Sequence, residues 1–224
     1  MKNDVILINK PTNWTSFDVV KRIRGLIKKK YNLSKLKVGH AGTLDPLASG
    51  LLIICTGKKT REISTYQNLK KKYFATIKLG FCTETYDRES DEEDVGDYTK
   101  ISTNKINELS QVFIGKQTQI PPKYSAVKIN GKRAYEKARN NEKFKLNSRS
   151  IEIYSFVIKK IYFPYIDLEV ICSKGTYIRS LAHDIGVFLE CGAYLYNLKR
   201  TAIGSHDLDL ALNLENFEIN LDKI

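Results

Sequence analysis

No stretch of this 224-residue chain stays apolar long enough to cross a bilayer as a helix, and Met1 to Lys10 lacks the apolar core of a secretion signal. Both absences argue against a membrane or exported protein and make the cytoplasm the expected compartment. Cysteine is sparse: residues 55, 82, 172 and 191 stand far apart without a C-x-x-C pair, so buried reduced thiols are expected, not a disulfide framework. The three histidines, at 40, 183 and 206, do not join them at metal-ligand spacing, and no metal site is expected. There are no internal repeats. Acidic residues are nearly missing from the first 72 positions, with 4 Asp+Glu against 16 Lys+Arg.

That imbalance carries the whole formal charge of +12, because residues 73 to 224 hold 21 of each sign. A second basic block, 116 to 149, has 10 Lys+Arg against 2 Glu, and an acidic run from Glu84 to Asp97 sets eight carboxylates against Arg88 alone. Basic segments flanking an acidic one suit a groove that takes a polyanion, with strongly salt-dependent binding. A chain of this length with 42% hydrophobic residues can bury a full core.

Periodicity assigns the elements. Val5 to Ile8 reads as a short strand ahead of the Asn9-Lys10-Pro11 turn. Thr15 and Asp18 form a capping box, and Val19, Val20, Ile23, Leu26 and Ile27 recur at helical spacing up to Lys28-Lys29-Lys30. Leu51 to Cys55 reads as a buried strand and Lys58 to Tyr66 as a helix. Tyr73, Ala75, Ile77 and Leu79 alternate with Lys72, Phe74, Thr76 and Lys78, the period of a strand. Residues 84 to 100 are expected to be a solvated loop. The stretch from Ile120 through Pro121-Pro122 starts extended and closes with a short helix over Arg133 to Arg139. Strands follow near 151–161 and 166–172, then a helix between Thr176 and Leu189. The mixture lacks a regular βαβ rhythm, which predicts an α+β fold on a mixed, largely antiparallel sheet.

The segment Gly39 to Leu52 is the most informative. It sets Asp45 among three glycines and just before Pro46, so the backbone takes turns closed to other residues while the aspartate is pushed toward an extended conformation. The buried strand after it would anchor that loop. Alternatively, an Asp-Pro pair of this kind is a surface turn.

Five segments in order, spanning most of residues 5 to 205, resemble the tRNA pseudouridine synthases of the TruB type. They are Asn9-Lys10-Pro11 with Trp14 to Asp18, the Asp45 loop, the strand opening Lys72-Tyr73, the Pro121 to Arg139 stretch, and Ser173 to Ser180. The resemblance implies the pseudouridine synthase fold, a catalytic domain over residues 1–205 with an RNA-clamping insertion about 116–149, and isomerisation of the uridine at tRNA position 55 in the T loop. It implies no cofactor, no metal and no membrane, and the chain is expected to be a monomer.

By that resemblance Asp45 is the nucleophile, as a carboxylate serves in glycosidases that form covalent intermediates. Arg179 is the arginine whose planar fork can keep a carboxylate ionised. Tyr73 stacks on the target base and assists at C5, or is a plain core tyrosine on the apolar face of its strand. A base inside a folded loop must be flipped out, and His40 matches the histidine that stacks in the opened loop. Lys10, Lys123, Lys128, Lys132 and Arg133 are phosphate candidates, Tyr124 and Tyr135 stacking candidates, and Lys10-Pro11 is expected chiefly to position the catalytic loop.

Two departures from the family pattern stand out. Thr83, Thr85 and Asp87 keep the first part of a Thr-x-Thr-x-Asp motif, with Ser90 where glycine is usual, so Asp87 either contacts RNA or caps a turn. Residues 206–224 read as a short tail, too few for the PUA domain of many relatives, and reduced acceptor-arm contacts are expected. A noncatalytic tRNA-binding protein or RNA folding chaperone is the main alternative. A metal-dependent nuclease would need Asp87, Asp91, Glu92 and Asp94, and Gly57-Lys58-Lys59-Thr60 lacks the first glycine and the lysine-hydroxyl pair of a P-loop.

Overall fold

Strands and helices alternate without a repeating unit in the computed structural model, which describes residues 2–221. In chain order they are β1 (Val5–Lys10), α1 (Ser16–Lys30), β2 (Val38–His40), β3 (Ser49–Thr56), α2 (Ile63–Asn68), β4 (Lys71–Leu79), β5 (Phe81–Thr83) and β6 (Glu92–Asp94). Next come α3 (Thr103–Asn107), α4 (Leu109–Phe113), β7 (Gly115–Gln119), β8 (Lys128–Ile129), β9 (Lys132–Arg133) and α5 (Ala134–Arg139). The run ends with β10 (Arg149–Tyr162), β11 (Tyr165–Cys172), α6 (Ile178–Phe188), β12 (Ala193–Ile203), β13 (His206–Asp207) and α7 (Leu214–Leu221). The chain divides into two compact units, Met1–Tyr73 with Leu198–Ile224, and Phe74–Asn197. Strands β4 and β12 each run from one unit into the other.

In the first unit β1 pairs antiparallel with β3 from Val5↔Cys55 to Lys10↔Gly50, while β12 meets β3 in parallel at Arg200↔Gly50. Strand β3 is covered on both faces and therefore reads as an unbroken apolar run. Leu52 and Ile54 point to a core with Val19, Val20, Ile23 and Ile27 of α1 and Phe217 and Leu221 of α7. Leu51, Ile53 and Cys55 point the other way, to Ala41, Ile203 and Leu208. The expected capping box starts α1: Asp18 N–H donates to the Thr15 hydroxyl oxygen at 3.0 Å, and Thr15 N–H donates to the Asp18 carboxylate at 3.1 Å. Such a cap contributes about 1 kcal/mol.

The second unit carries the sheet order β4-β11-β10-β7, with β10 antiparallel to both neighbours. Helix α6 buries Ile178, Leu181, Ala182 and Ile185. Phe113 of α4 stacks on Phe156 of β10, ring centroids 6.0 Å apart.

Two local expectations change. The segment predicted to be one helix from Lys58 opens as a 3-10 helix over Gly57–Glu62 before α2 begins. The acidic stretch 84–100 is not simply a solvated loop: β6 pairs with β5, Glu92 accepts from Lys78 and from the Tyr194 hydroxyl at 2.7 Å each, and Thr85 and Asp87 are buried. Those partners lie across the fold, where composition cannot see them. Strand β12 and helices α3 and α4 had no sequence assignment, and residues 206–221 pack within the first unit through Leu208, Phe217 and Leu221.

Candidate active site

The Asp45 loop leaves β2 at His40, crosses residues 41–48 and re-enters the sheet at β3. Backbone bonds define its ends, from Ala41 N–H to Ile53 O at 2.9 Å and from Ala48 N–H to Asp45 O at 3.1 Å. Three buried polar side chains then clamp its carbonyls. Ser16, at the start of α1, accepts from Leu44 N–H at 2.9 Å and donates to Leu44 O at 3.0 Å. Lys10 is fully buried and spends its three ammonium donors on Pro11 O, Trp14 O and Pro46 O at 2.8, 2.6 and 3.3 Å. Arg200, 1% exposed, sends Nε to Leu51 O at 2.8 Å, Nη2 to Gly42 O at 3.0 Å and Nη1 to Thr43 O at 3.4 Å. Gly50 permits the approach, since its φ is +107° and a Cβ there would lie 2.3 Å from Arg200 O. The loop is thus held by its backbone, and the Asp45 side chain stays half-exposed.

Lys10 corrects one expectation. Its ammonium, expected to face a phosphate, is spent on the carbonyls of residues 11, 14 and 46, while Pro11 itself is exposed. Burial lowers the Lys10 pKa from 10.5 to about 8, opposed by the negative charge of Asp45 and assisted by the positive charge of Arg200. Below about pH 8 the folded state bears the full cost of burying the ammonium; above 10.5 lysine is neutral in both states and the cost is gone. Between those limits only the unfolded chain binds the proton, so stability rises with pH. Urea unfolding should therefore show wild type gaining roughly 3 kcal/mol on Lys10→Met across that window. A pH-independent difference would remove Lys10 from this account.

His40 is half-buried at the loop's entrance, and burial, followed by the Arg200 charge, lowers its pKa. The imidazole is therefore neutral under ordinary conditions, which suits stacking better than phosphate pairing. Tyr73 is 8% exposed on the apolar face of β4. The Thr201 hydroxyl donates to the adjacent Lys72 carbonyl at 3.3 Å, tying this end of the strand to β12.

The remaining site residues lie in the second unit. Arg179, on the first turn of α6, is 5% exposed and donates from Nη1 to Thr85 O at 3.1 Å and from Nη2 to Tyr124 O at 3.0 Å. Its Nε lies 3.5 Å from the Asp87 carboxylate. Asp87 is buried, and its Oδ1 also accepts from the Thr85 hydroxyl at 2.7 Å and from Glu89 N–H at 2.9 Å. It closes a turn and faces Arg179 within the unit, the arrangement of the turn-capping alternative. Ser90 takes part in the same turn, accepting from Thr85 N–H at 3.1 Å, a bond that glycine has no side chain to make.

In the insertion, Lys123, Lys128, Lys132 and Arg133 are all exposed, as phosphate contacts need to be. Strands β8 and β9 form a hairpin turned by Asn130 and Gly131, at φ 51° and 85°, a sequence signal for a tight turn that the expected elements passed over. Tyr124 is half-buried, its hydroxyl pKa raised by burial and then by a hydrogen bond to Glu84. Tyr135 is 36% exposed.

Sequence reasoning gave no role to Ser16, although it lies in the Trp14 to Asp18 segment, and did not reach Arg200. Ser16 had a visible signal, a small hydroxyl at the start of a capped helix; Arg200 sat in unassigned sequence that read as one more basic residue.

The geometry describes a rigidly held loop that displays one carboxylate, in a chain with exposed cations fit for nucleic acid. A model of the TruB family pseudouridylate synthase N-terminal domain matches residues 28–178. The tRNA pseudouridine synthase B of Parabacteroides distasonis is 43% identical over 220 residues, covering 98% of this chain and 94% of that one. The enzyme of the same name from Chlorobaculum tepidum is 46% identical over 215 residues, 96% of this chain and 89% of that one. Among solved structures, a chain of the crystal structure of a Cbf5-Nop10-Gar1 complex is 29% identical with a TM-score of 0.73. That alignment covers all of this chain and 57% of the neighbour, so this chain spans little more than half the neighbour's length. The fold is that of the pseudouridine synthases, and the chain belongs to the TruB family of pseudouridylate synthases.

Proposed function

We propose that this protein is an isomerase that converts uridine to pseudouridine in tRNA, at position 55 of the T loop. The observation that carries the reading is the Asp45 loop: three buried side chains fix its backbone through its carbonyls and Leu44 N–H, and the half-exposed Asp45 sits on that fixed loop. Preorganising a reactive group on a rigid element is what catalysis requires of a scaffold. A protein that only binds RNA has no need of it, and the curated relatives are synthases by name.

The reaction breaks the uracil N1 to ribose C1′ bond and forms C5 to C1′, losing the proton at C5 and gaining one at N1. Atoms and electrons balance without a redox partner or cofactor. Asp45 supplies the nucleophile, Tyr73 the surface on which the flipped base stacks, and Arg179 the cation assigned to the reaction by family resemblance. Flipping costs a few kcal/mol, which stacking and phosphate contacts must offset. His40 in its neutral form is the stacking residue, with Tyr124 as a second aromatic, and Lys123, Lys128, Lys132 and Arg133 meet the T-arm phosphates. The enzyme works as a monomer in the cytoplasm.

Purified protein incubated with an unmodified tRNA transcript, followed by carbodiimide-dependent reverse-transcription stops, should give one stop in the T loop. Stops elsewhere would overturn the substrate assignment. The insertion has its own test: replacing Lys123, Lys128, Lys132 and Arg133 together by alanine should flatten the slope of log affinity against log salt by about 3. An unchanged slope would place the phosphate contacts elsewhere.

A further inference from the structure

The turn that faces Arg179 contains a residue the reaction does not use. Tyr86 stands between Thr85 and Asp87, two of the residues whose oxygens meet Arg179, and its backbone φ is +61°. A bulky residue in the left-handed region persists only where its surroundings hold it there. Two backbone bonds contribute, from Tyr86 N–H to Thr83 O at 3.2 Å and from Leu195 N–H to Tyr86 O at 3.0 Å. The side chain supplies the third hold: its ring stacks on His183 with centroids 4.2 Å apart and planes within 8°. His183 follows Arg179 by four residues on α6, so the two project from one face of the helix.

We propose that the Tyr86–His183 stack is a clip that sets the position of Arg179 for the reaction. The helix presents both the arginine and the imidazole; the turn presents two of the arginine's oxygen partners and the tyrosine ring. The ring contact adds a hold on the rotation of the turn against α6 beside the bonds from Arg179 to Thr85 O and the Asp87 carboxylate. Burial also lowers the His183 pKa, so the stacked imidazole is neutral and the contact is one of ring on ring. Neither residue touches substrate in this account; both are positioning residues, and the inference rests on the synthase activity proposed above.

Tyr86→Gly separates the ring from the backbone, since glycine accepts φ +61° without strain. Tyr86→Gly and His183→Ala should each lower kcat about 10- to 100-fold, the scale of a small misplacement of a catalytic group, with KM for tRNA and the melting temperature little changed. His183→Phe, which keeps a stacking ring, should restore most of the rate, and the double variant should be no slower than either single one. Amide hydrogen exchange at Glu89 and Leu195, whose acceptors are Asp87 Oδ1 and Tyr86 O, should quicken in His183→Ala and not in His183→Phe. Wild-type turnover in His183→Ala and Tyr86→Gly, or a His183→Phe rate as low as that of His183→Ala, overturns the clip while leaving the activity standing. Absence of pseudouridine formation by the wild type overturns the activity, and the clip with it.

Discussion

Asp45→Asn is expected to abolish pseudouridine formation, with a loss of at least about 10⁴-fold and no loss of tRNA affinity. The magnitude follows from removing a nucleophile that the other groups cannot replace, as seen when single members of a catalytic set are deleted. The specificity follows from the structure. The bonds from Lys10, Ser16 and Arg200 engage carbonyls of the loop and its borders, and the Asp45 carbonyl itself accepts from Ala48 N–H. An amide in place of the carboxylate keeps the loop's shape and removes the charge. It also removes one of the influences that raise the Lys10 pKa, so that pKa should fall further in the variant. Binding of tRNA on a filter together with carbodiimide mapping separates the two properties. A variant that still forms pseudouridine faster than roughly one hundredth of the wild-type rate, a difference of about 3 kcal/mol in the barrier, would dismiss Asp45 as nucleophile.

Arg200→Ala is expected to cost about 3 to 5 kcal/mol of stability and most of the activity with it. The guanidinium is almost wholly enclosed and bonded to the carbonyls of Leu51, Gly42 and Thr43. Its removal strands three acceptors in an interior that water does not reach readily, and opens a cavity between β12 and the loop. Such a deletion belongs with the breaking of buried charged contacts, the more costly class of substitution. Lysine is no substitute, because a single ammonium cannot reproduce a planar fork directed at separate carbonyls. Urea unfolding should place Arg200→Lys between the alanine variant and the wild type. Equal midpoints for Arg200→Ala and wild type would show that the loop is held without it.

Both predictions depend on residues that stood differently in the sequence. Asp45 was legible because a glycine-rich loop, a following proline and a buried strand are local signals, and because the surrounding motif resembles a family. Lys10 was legible as part of that motif, yet its sequence neighbours could not tell a phosphate ligand from a buried latch. Asp87 was read both as an RNA contact and as a turn cap, and its burial against Arg179 depends on partners that the sequence does not place beside it. The cations of the insertion are exposed, which is the ordinary state of lysine and arginine in a polar segment.

By itself, the sequence determined what short-range physics controls. The capped helix α1, the apolar run of β3 and the alternation of β4 follow from periods of a few residues, and the glycines and prolines around Asp45 restrict their own dihedral angles. The tertiary structure alone decided which polar groups are buried, since that depends on partners remote in the chain: Arg200 meets Gly42 across 158 positions and Arg179 meets Thr85 across 94. A lone cation in sequence looks solvated, and only an enclosed set of carbonyls with no water to bond makes it a structural requirement.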